Sequence, residues 1–141
     1  RRLENFGLTN NLKECNMEHS DGFLKIVQSA KSRIKEISVH SAQEKLDVGE
    51  LVHFIDIRED HEWLKDHAKG AVHLGKGIIE RDIEQHVTNH QDEIILYCGG
   101  GYRSALAADA LQNMGYTNVS SMEGGFKAWM AAGCPSSPSK C

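Results

Sequence analysis

The stretch Cys98-Gly99-Gly100-Gly101-Tyr102-Arg103-Ser104 lies between a short apolar run, Glu93 to Tyr97, and a segment with helical period, Ala105 to Met114. The run is continuous, β-branched and short, which is how a buried parallel strand reads. In the following segment Ala107, Ala110, Leu111 and Met114 fall on one helical stripe, and Gly115 stands where a helix stop belongs. A cysteine therefore ends a strand, three glycines turn the chain, and an arginine opens a helix. That geometry is what a thiolate or an oxyanion needs.

The same order has chemical consequences. Residues without a β-carbon let the backbone curl and aim several N–H groups at one point. The first N–H groups of the helix lack intrahelical partners and carry partial positive charge. Arg103 adds a full charge that is never lost. A free cysteine titrates near ~8.5, and such surroundings bring it to roughly 3.5–7.5. A two-unit drop needs about 2.7 kcal/mol at about 1.36 per unit. An exposed helix terminus supplies only about 0.3–1 kcal/mol, so converging amides and the arginine are both required. Cys98 thus reads as a nucleophile held as thiolate. The competing reading is a small, inert, buried thiol; the flanking strand, glycines, arginine and helix weigh against it.

At 141 residues the chain is long enough for one domain with a proper core, and 40% hydrophobic with 26% charged content is ordinary for a globular protein. A net charge of −4 with no basic face argues against nucleic acid as partner. No run approaches ~18 apolar residues, so no membrane span is expected. Cys15, Cys98, Cys134 and Cys141 have neither zinc-like pairing nor disulfide-framework density. A working thiolate suits a reducing compartment, so the cytoplasm is the expected location. The sequence starts on Arg1, and what precedes it is open.

Residues 1 to about 19, with Asn5, Asn10, Asn11 and Asn16, read as an irregular arm. From Asp21 a helical period runs through Phe23, Ile26, Val27, Ala30, Ile34 and Ile37, with Ser20 or Asp21 as cap. Glu36 to Val39 is a candidate edge strand, and Ser41 is expected to cap a brief helix through Leu46. Leu51 to Ile57 is a second buried strand, ending in the polar residues Asp56, Arg58 and Glu59. Asp60 to His67 reads as a helix with Trp63 and Leu64 inward, Gly70 to Leu74 as a strand, and Ile78 to His90 as a helix. Val119 to Met122 is the last strand, and Gly124-Gly125 open a final helix to Ala132. The expected division is an arm and helix over 1–35 packed on the core, a domain over 36–133, and a flexible tail over 134–141. Alternating strands and helices predict an α/β fold with a mostly parallel sheet covered on both faces. The strand-end loops at Arg58, Leu74, Cys98 and Glu123 should gather on one rim, where ligands bind in such sheets.

These residues resemble the rhodanese-like family of single-domain sulfurtransferases. Cys98 to Ser104 looks like its active-site loop. Asp56-Ile57-Arg58-Glu59 with Glu62-Trp63 resembles its Asp-Val-Arg-x-x-x-Glu-Trp/Tyr segment, and His67-Ala68-Lys69-Gly70-Ala71 its His-Ile-Pro-Gly-Ala segment. Glu123-Gly124-Gly125-Phe126-Lys127-Ala128-Trp129 resembles its Gly-Gly-x-x-x-Trp ending. The resemblance covers about residues 36 to 133 and implies a central five-stranded parallel sheet. It implies two-step transfer in which Cys98 takes a sulfane sulfur from a donor, becomes a persulfide, and passes it to a thiophilic acceptor. Gly99, Gly100, Gly101, Tyr102, Arg103 and Ser104 would bind the persulfide or an anionic donor, with Asp56 and Arg58 as structural supports. The implied donor is thiosulfate or a low-molecular-weight persulfide, the acceptor a thiol, cyanide or a sulfur-relay protein, and no metal or organic cofactor is involved. Lys69 departs from the usual proline, and Gly100 stands where some thiosulfate-using members carry a basic residue.

Two other readings compete. Cysteine-based phosphatases and arsenate reductases use a similar loop, but those phosphatases place five residues between cysteine and arginine, whereas four intervene here. A non-catalytic sulfur-relay or interaction module is the third. His86 and His90 lie four apart on an expected helix, a spacing that can grip zinc, but no third ligand is placed by the pattern. Gly75-Lys76-Gly77 lacks a nucleotide-binding spacing. Cys134 and Cys141 read as exposed thiols without a role, and Trp63 and Trp129 as core aromatics.

Overall fold

The computed structural model describes residues 19–138; Cys15, Cys141 and the asparagine-bearing arm lie outside them. In chain order the elements are α1 (Asp21–Lys31), β1 (Lys35–Ile37), α2 (Val39–Asp47), β2 (Val52–Asp56), α3 (Asp60–Lys65), β3 (His67–Ala68) and β4 (Val72–His73). They continue as α4 (Ile79–His86), β5 (Glu93–Tyr97), α5 (Tyr102–Asn113), β6 (Val119–Met122), α6 (Gly125–Ala131) and β7 (Ser136–Ser137).

Five strands form one sheet in the order β1-β6-β5-β2-β4, and every pairing is parallel. The two longest strands lie side by side at its centre, Val52 opposite Glu93 through Asp56 opposite Tyr97. Successive side chains of a strand point to opposite faces, so these strands feed two cores. Ile55, Ile57, Ile94, Leu96 and Cys98 join Ile79, Ile83, Val87 and Leu111 on one face. Phe54, Ile95 and Tyr97 join Val39, Ala42, Met122 and Trp129 on the other. Both faces are thus sealed by helices, the condition a parallel sheet requires.

The local signals explain the boundaries. Ser20 Oγ accepts from Phe23 N at 3.1 Å and caps α1. That helix stops at Lys31, short of the expected period, because Ile34 packs from a turn and Ile37 from strand β1. Ser38, rather than Ser41, caps α2: its Oγ accepts from Ser41 N at 3.0 Å. Leu64 points outward and is 57% exposed. In the short helix α3 it is Trp63 that packs, stacked on His67 at 3.5 Å and on His73 at 5.0 Å, and the next residue is carried about 100° away. Helix α4 ends at His86, since Val87 turns extended to bury its side chain. His90 is therefore off the helix, bonded to Glu84 at 3.0 Å and stacked on Tyr116. The zinc pair dissolves, and among the described residues no cluster of three or more His, Cys, Asp or Glu is placed to hold a metal.

Within the segment expected as a tail, Ser136–Ser137 pairs antiparallel with His67–Ala68. Pro135 O accepts from Trp129 Nε1 at 2.7 Å and from Lys69 N at 3.0 Å. Cys134 is accordingly half-buried rather than exposed, and burial pushes its thiol up. No described helix is long and apolar enough to cross a membrane.

Candidate active site

The carboxyl ends of β2, β4, β5 and β6 meet on one rim, as the alternation predicts. Leu74 N donates to Asp56 O at 3.0 Å, and Ile57 N to Tyr97 O at 2.9 Å. The turn after β5 curls as three glycines allow, and Gly101 takes φ +98°, a left-handed conformation that disfavours a side chain. From there α5 starts at Tyr102.

Cys98 is 1% exposed and its Sγ faces inward on this curl. Gly101 N donates to the sulfur at 3.1 Å and Ser104 N at 3.4 Å, while Ser104 Oγ lies 3.5 Å away. Ser104 Oγ is itself 2.7 Å from the buried Ser121 Oγ of β6. The turn's carbonyls are drawn the other way. Phe126 N donates to Cys98 O at 2.7 Å and Lys127 N to Gly99 O at 3.1 Å. Helix α6 thereby fixes which side of the turn presents amides. The close approach demands Gly125, where a β-carbon would collide with Cys98 O and lie 2.7 Å from Gly99 C.

Arg103 is anchored by a carboxylate. Its Nη1 and Nη2 bond Glu62 Oε1 and Oε2 at 2.9 and 3.2 Å, a two-pronged pair. Glu62 Oε1 also accepts from Glu59 N at 3.0 Å. Glu62 keeps the Arg103 guanidinium above its ordinary value. Burial pushes the Glu62 carboxyl up, and the bonds from Arg103 and the Glu59 amide outweigh it, so the group sits below the usual carboxylate range. The groups within hydrogen-bond reach of Sγ are amides and a hydroxyl, with the guanidinium turned to Glu62.

Asp56 and Arg58 are buried at 0% and 5% exposure. Arg58 N and Nε donate to Asp56 Oδ1 at 2.8 and 3.1 Å, and Nη2 to Asp56 Oδ2 at 2.8 Å. Nη2 also reaches Asp66 O at 2.6 Å, and the guanidinium lies 4.3 Å from the Phe126 ring centre. The pair ties the end of β2 to α3 and α6 at a distance from Sγ. Beside it, burial and the Asp56 carboxylate hold the Tyr97 hydroxyl far above its usual value, so it stays neutral and accepts from Ala68 N at 3.0 Å.

Cys98 lines a cavity of about 360 Å³ together with His19, Phe23, Gly100, Tyr102 and Arg103. Arg103 also lines a second cleft of about 660 Å³, between residues 58–61 at the start of α3 and the Gly75–Ile78 turn. Sequence reasoning placed neither His19 nor Phe23 at the site, reading Phe23 as part of a helical stripe, and missed the partnership of Ser121 with Ser104. No spacing signals a contact between segments that far apart. Glu62 was legible only as part of a motif, its partner Arg103 lying 41 positions on.

The chain belongs to the rhodanese-like domain family, whose model matches residues 38–132. It is 33% identical over 99 residues to the thiosulfate sulfurtransferase GlpE of Vibrio cholerae, covering 70% of this chain and 91% of that one. It is 34% identical over 98 residues to a Bacillus subtilis protein provisionally named a sulfur carrier, and spans about half of it: 70% of this chain, 52% of that one. Among solved structures, a Rhodopseudomonas palustris protein described as a possible tyrosine phosphatase superposes with a TM-score of 0.72 at 30% identity, over 82% of this chain and 94% of that one.

Proposed function

We propose that this chain is a sulfurtransferase that carries a sulfane sulfur on Cys98. The observation that carries the reading is the pair of amides, Gly101 N and Ser104 N, aimed at Sγ within a turn whose carbonyls are tied back by α6. Donors fixed in place stabilise anionic sulfur without reorganising. In loading, the Cys98 thiolate attacks the outer sulfur of thiosulfate; the new Sγ–S bond forms as the bond to sulfite breaks, and sulfite leaves with the electron pair. In discharge, a thiol or cyanide acceptor attacks the outer sulfur, and the pair returns to Sγ. Atoms and electrons balance without metal or organic cofactor. The remaining turn residues, Gly99 to Ser104, line the donor position, with Asp56 and Arg58 supporting the rim. A low-molecular-weight persulfide serves as donor equally well, because Gly100 adds no positive charge for thiosulfate, and a relay protein is a further acceptor. The name of the Vibrio relative supports the activity. We place the working unit at 36–133, with 1–35 as an appended arm and helix and 134–141 as a tail, in the cytoplasm.

Incubation with thiosulfate or glutathione persulfide should add one sulfur to the peptide containing Cys98, read by mass spectrometry. Cys98→Ser should abolish it; undiminished turnover in that variant moves the chemistry to another thiol. A second reading, phosphatase or arsenate chemistry, has the described role of the Rhodopseudomonas neighbour in its favour. The turn opposes it, since four residues between Cys98 and Arg103 leave less room for a tetrahedral oxyanion than five. Phosphatase assay beside thiosulfate–cyanide turnover separates the two.

A further inference from the structure

The wall of the Cys98 cavity facing Tyr102 is built by residues N-terminal to the family-matched region. His19 and Phe23 precede residue 38, where that match begins. Their placement is fixed. Helix α1 buries Val27 and Ala30, and Arg33 Nε and Nη2 grip Asp109 of α5 at 3.0 and 2.7 Å. Gln112 Nε2 donates to Arg33 O at 3.0 Å. At the other end of α1 three rings interlock edge to face: His19 on Tyr102 at 4.5 Å, His19 on Phe23 at 5.3 Å, and Phe23 on Tyr102 at 6.3 Å. Lys31 Nζ sits over the Tyr102 ring, 5.4 Å from its centre.

We infer that His19 and Phe23 form, with Tyr102, an aromatic subsite that selects a sulfur compound with an apolar organic body, a low-molecular-weight thiol or its persulfide, over a bare inorganic ion. The inference rests on Cys98 as the sulfur carrier. A cyanide or sulfite ion fills little of about 360 Å³. Cavities of that size with aromatic walls and few polar groups fit small organic ligands. An inorganic anion needs free positive charge, and Arg103, the permanent cation on this wall, has both terminal nitrogens on Glu62. The aromatic faces instead offer contact to carbon beside the reacting sulfur. The thiolate of such an acceptor attacks the outer sulfur of the Cys98 persulfide; its S–S bond forms, the Sγ–S bond breaks, and the electron pair returns to Sγ.

The test compares wild type, Phe23→Ala, Phe23→Leu and Ile26→Ala, the last a control on the same helix whose side chain is 53% exposed. Alkylation of unloaded Cys98 by N-benzyliodoacetamide and by iodoacetamide is timed by peptide mass spectrometry. Discharge of the loaded protein to 2-phenylethanethiol and to cyanide is timed in parallel. Both aromatic-to-small rate ratios should fall about tenfold in Phe23→Ala, given the worth of one aromatic contact. They should fall less in Phe23→Leu, which also decides the matter should the alanine variant not fold, and stay at the wild-type value in Ile26→Ala. Unaltered ratios in both Phe23 variants overturn the subsite; so does an equal fall in Ile26→Ala, which reports helix docking instead. If wild type never loads sulfur, the transferase reading fails, while the alkylation ratios still judge the wall.

Discussion

A β-carbon at Gly125 would lie 2.7 Å from Gly99 C and 2.8 Å from Gly100 N, at φ +58°. One at Gly100 would meet nothing within 4 Å. Gly99, Gly100 and Gly101 look equivalent in the sequence, yet of these Gly101 alone takes a left-handed φ, +98°. Gly125→Ala forces the turn off its amide geometry and should cost roughly 2–4 kcal/mol from overpacking and left-handed strain, with loss of sulfur loading. Gly100→Ala should stay within about 0.5 kcal/mol of wild type and keep loading. Denaturant melts and the Cys98 peptide mass check both. Asp56 is the rim residue whose removal should hurt the fold most. Asp56→Ala strands Arg58, buried at 5% exposure, without its carboxylate, a loss of about 3–5 kcal/mol. A urea midpoint shift worth under ~1 kcal/mol would show that the rim does not depend on the pair.

Helices α3 and α5 meet through Glu62 and Arg103. Both side chains keep about a third of their exposure, 27% and 32%, so the bridge is screened and Arg103→Ala should cost less than about 1 kcal/mol. Weakened donor use with an intact melt is the expected result; an unfolded variant makes the arginine structural. The pH dependence has a definite sign. Glu62 sits below its ordinary value in the fold, so its contribution is fully present above the unfolded value near ~4.3 and is lost as pH falls through the depressed folded one. The melting-temperature gap between wild type and Glu62→Gln should hold steady from neutrality to about pH 5 and close at lower pH. A gap that widens on acidification contradicts the assignment.

The whole molecule is a parallel sheet sealed on both faces, with a nucleophile candidate on the α4–α5 side and Trp129 buried on the other. Trp129 also holds Pro135, next to the Ser136–Ser137 bridge. Trp129→Ala should cost about 3–5 kcal/mol and expose the segment after Ala132 to protease; a variant with unchanged cleavage would detach the tail from the core. The central strands, the turn at Cys98 and the helix stop at Gly115 were legible in the chain because they are local. Each depends on period, branching or a missing β-carbon within about ten residues. The end of α1 at Lys31, the exposure of Leu64, and the departure of His90 from α4 were not legible, because packing with distant residues overrode a local pattern in each case. What the amino-acid order alone determined is therefore the alternation of strands and helices and the presence of one cysteine at a glycine-rich strand end. Tertiary structure decided which amides face that sulfur, that Arg103 is bound to Glu62, and that His19 and Phe23 stand at the cavity mouth. Those are contacts across dozens of residues, and a periodic pattern carries no information about a partner beyond its own element.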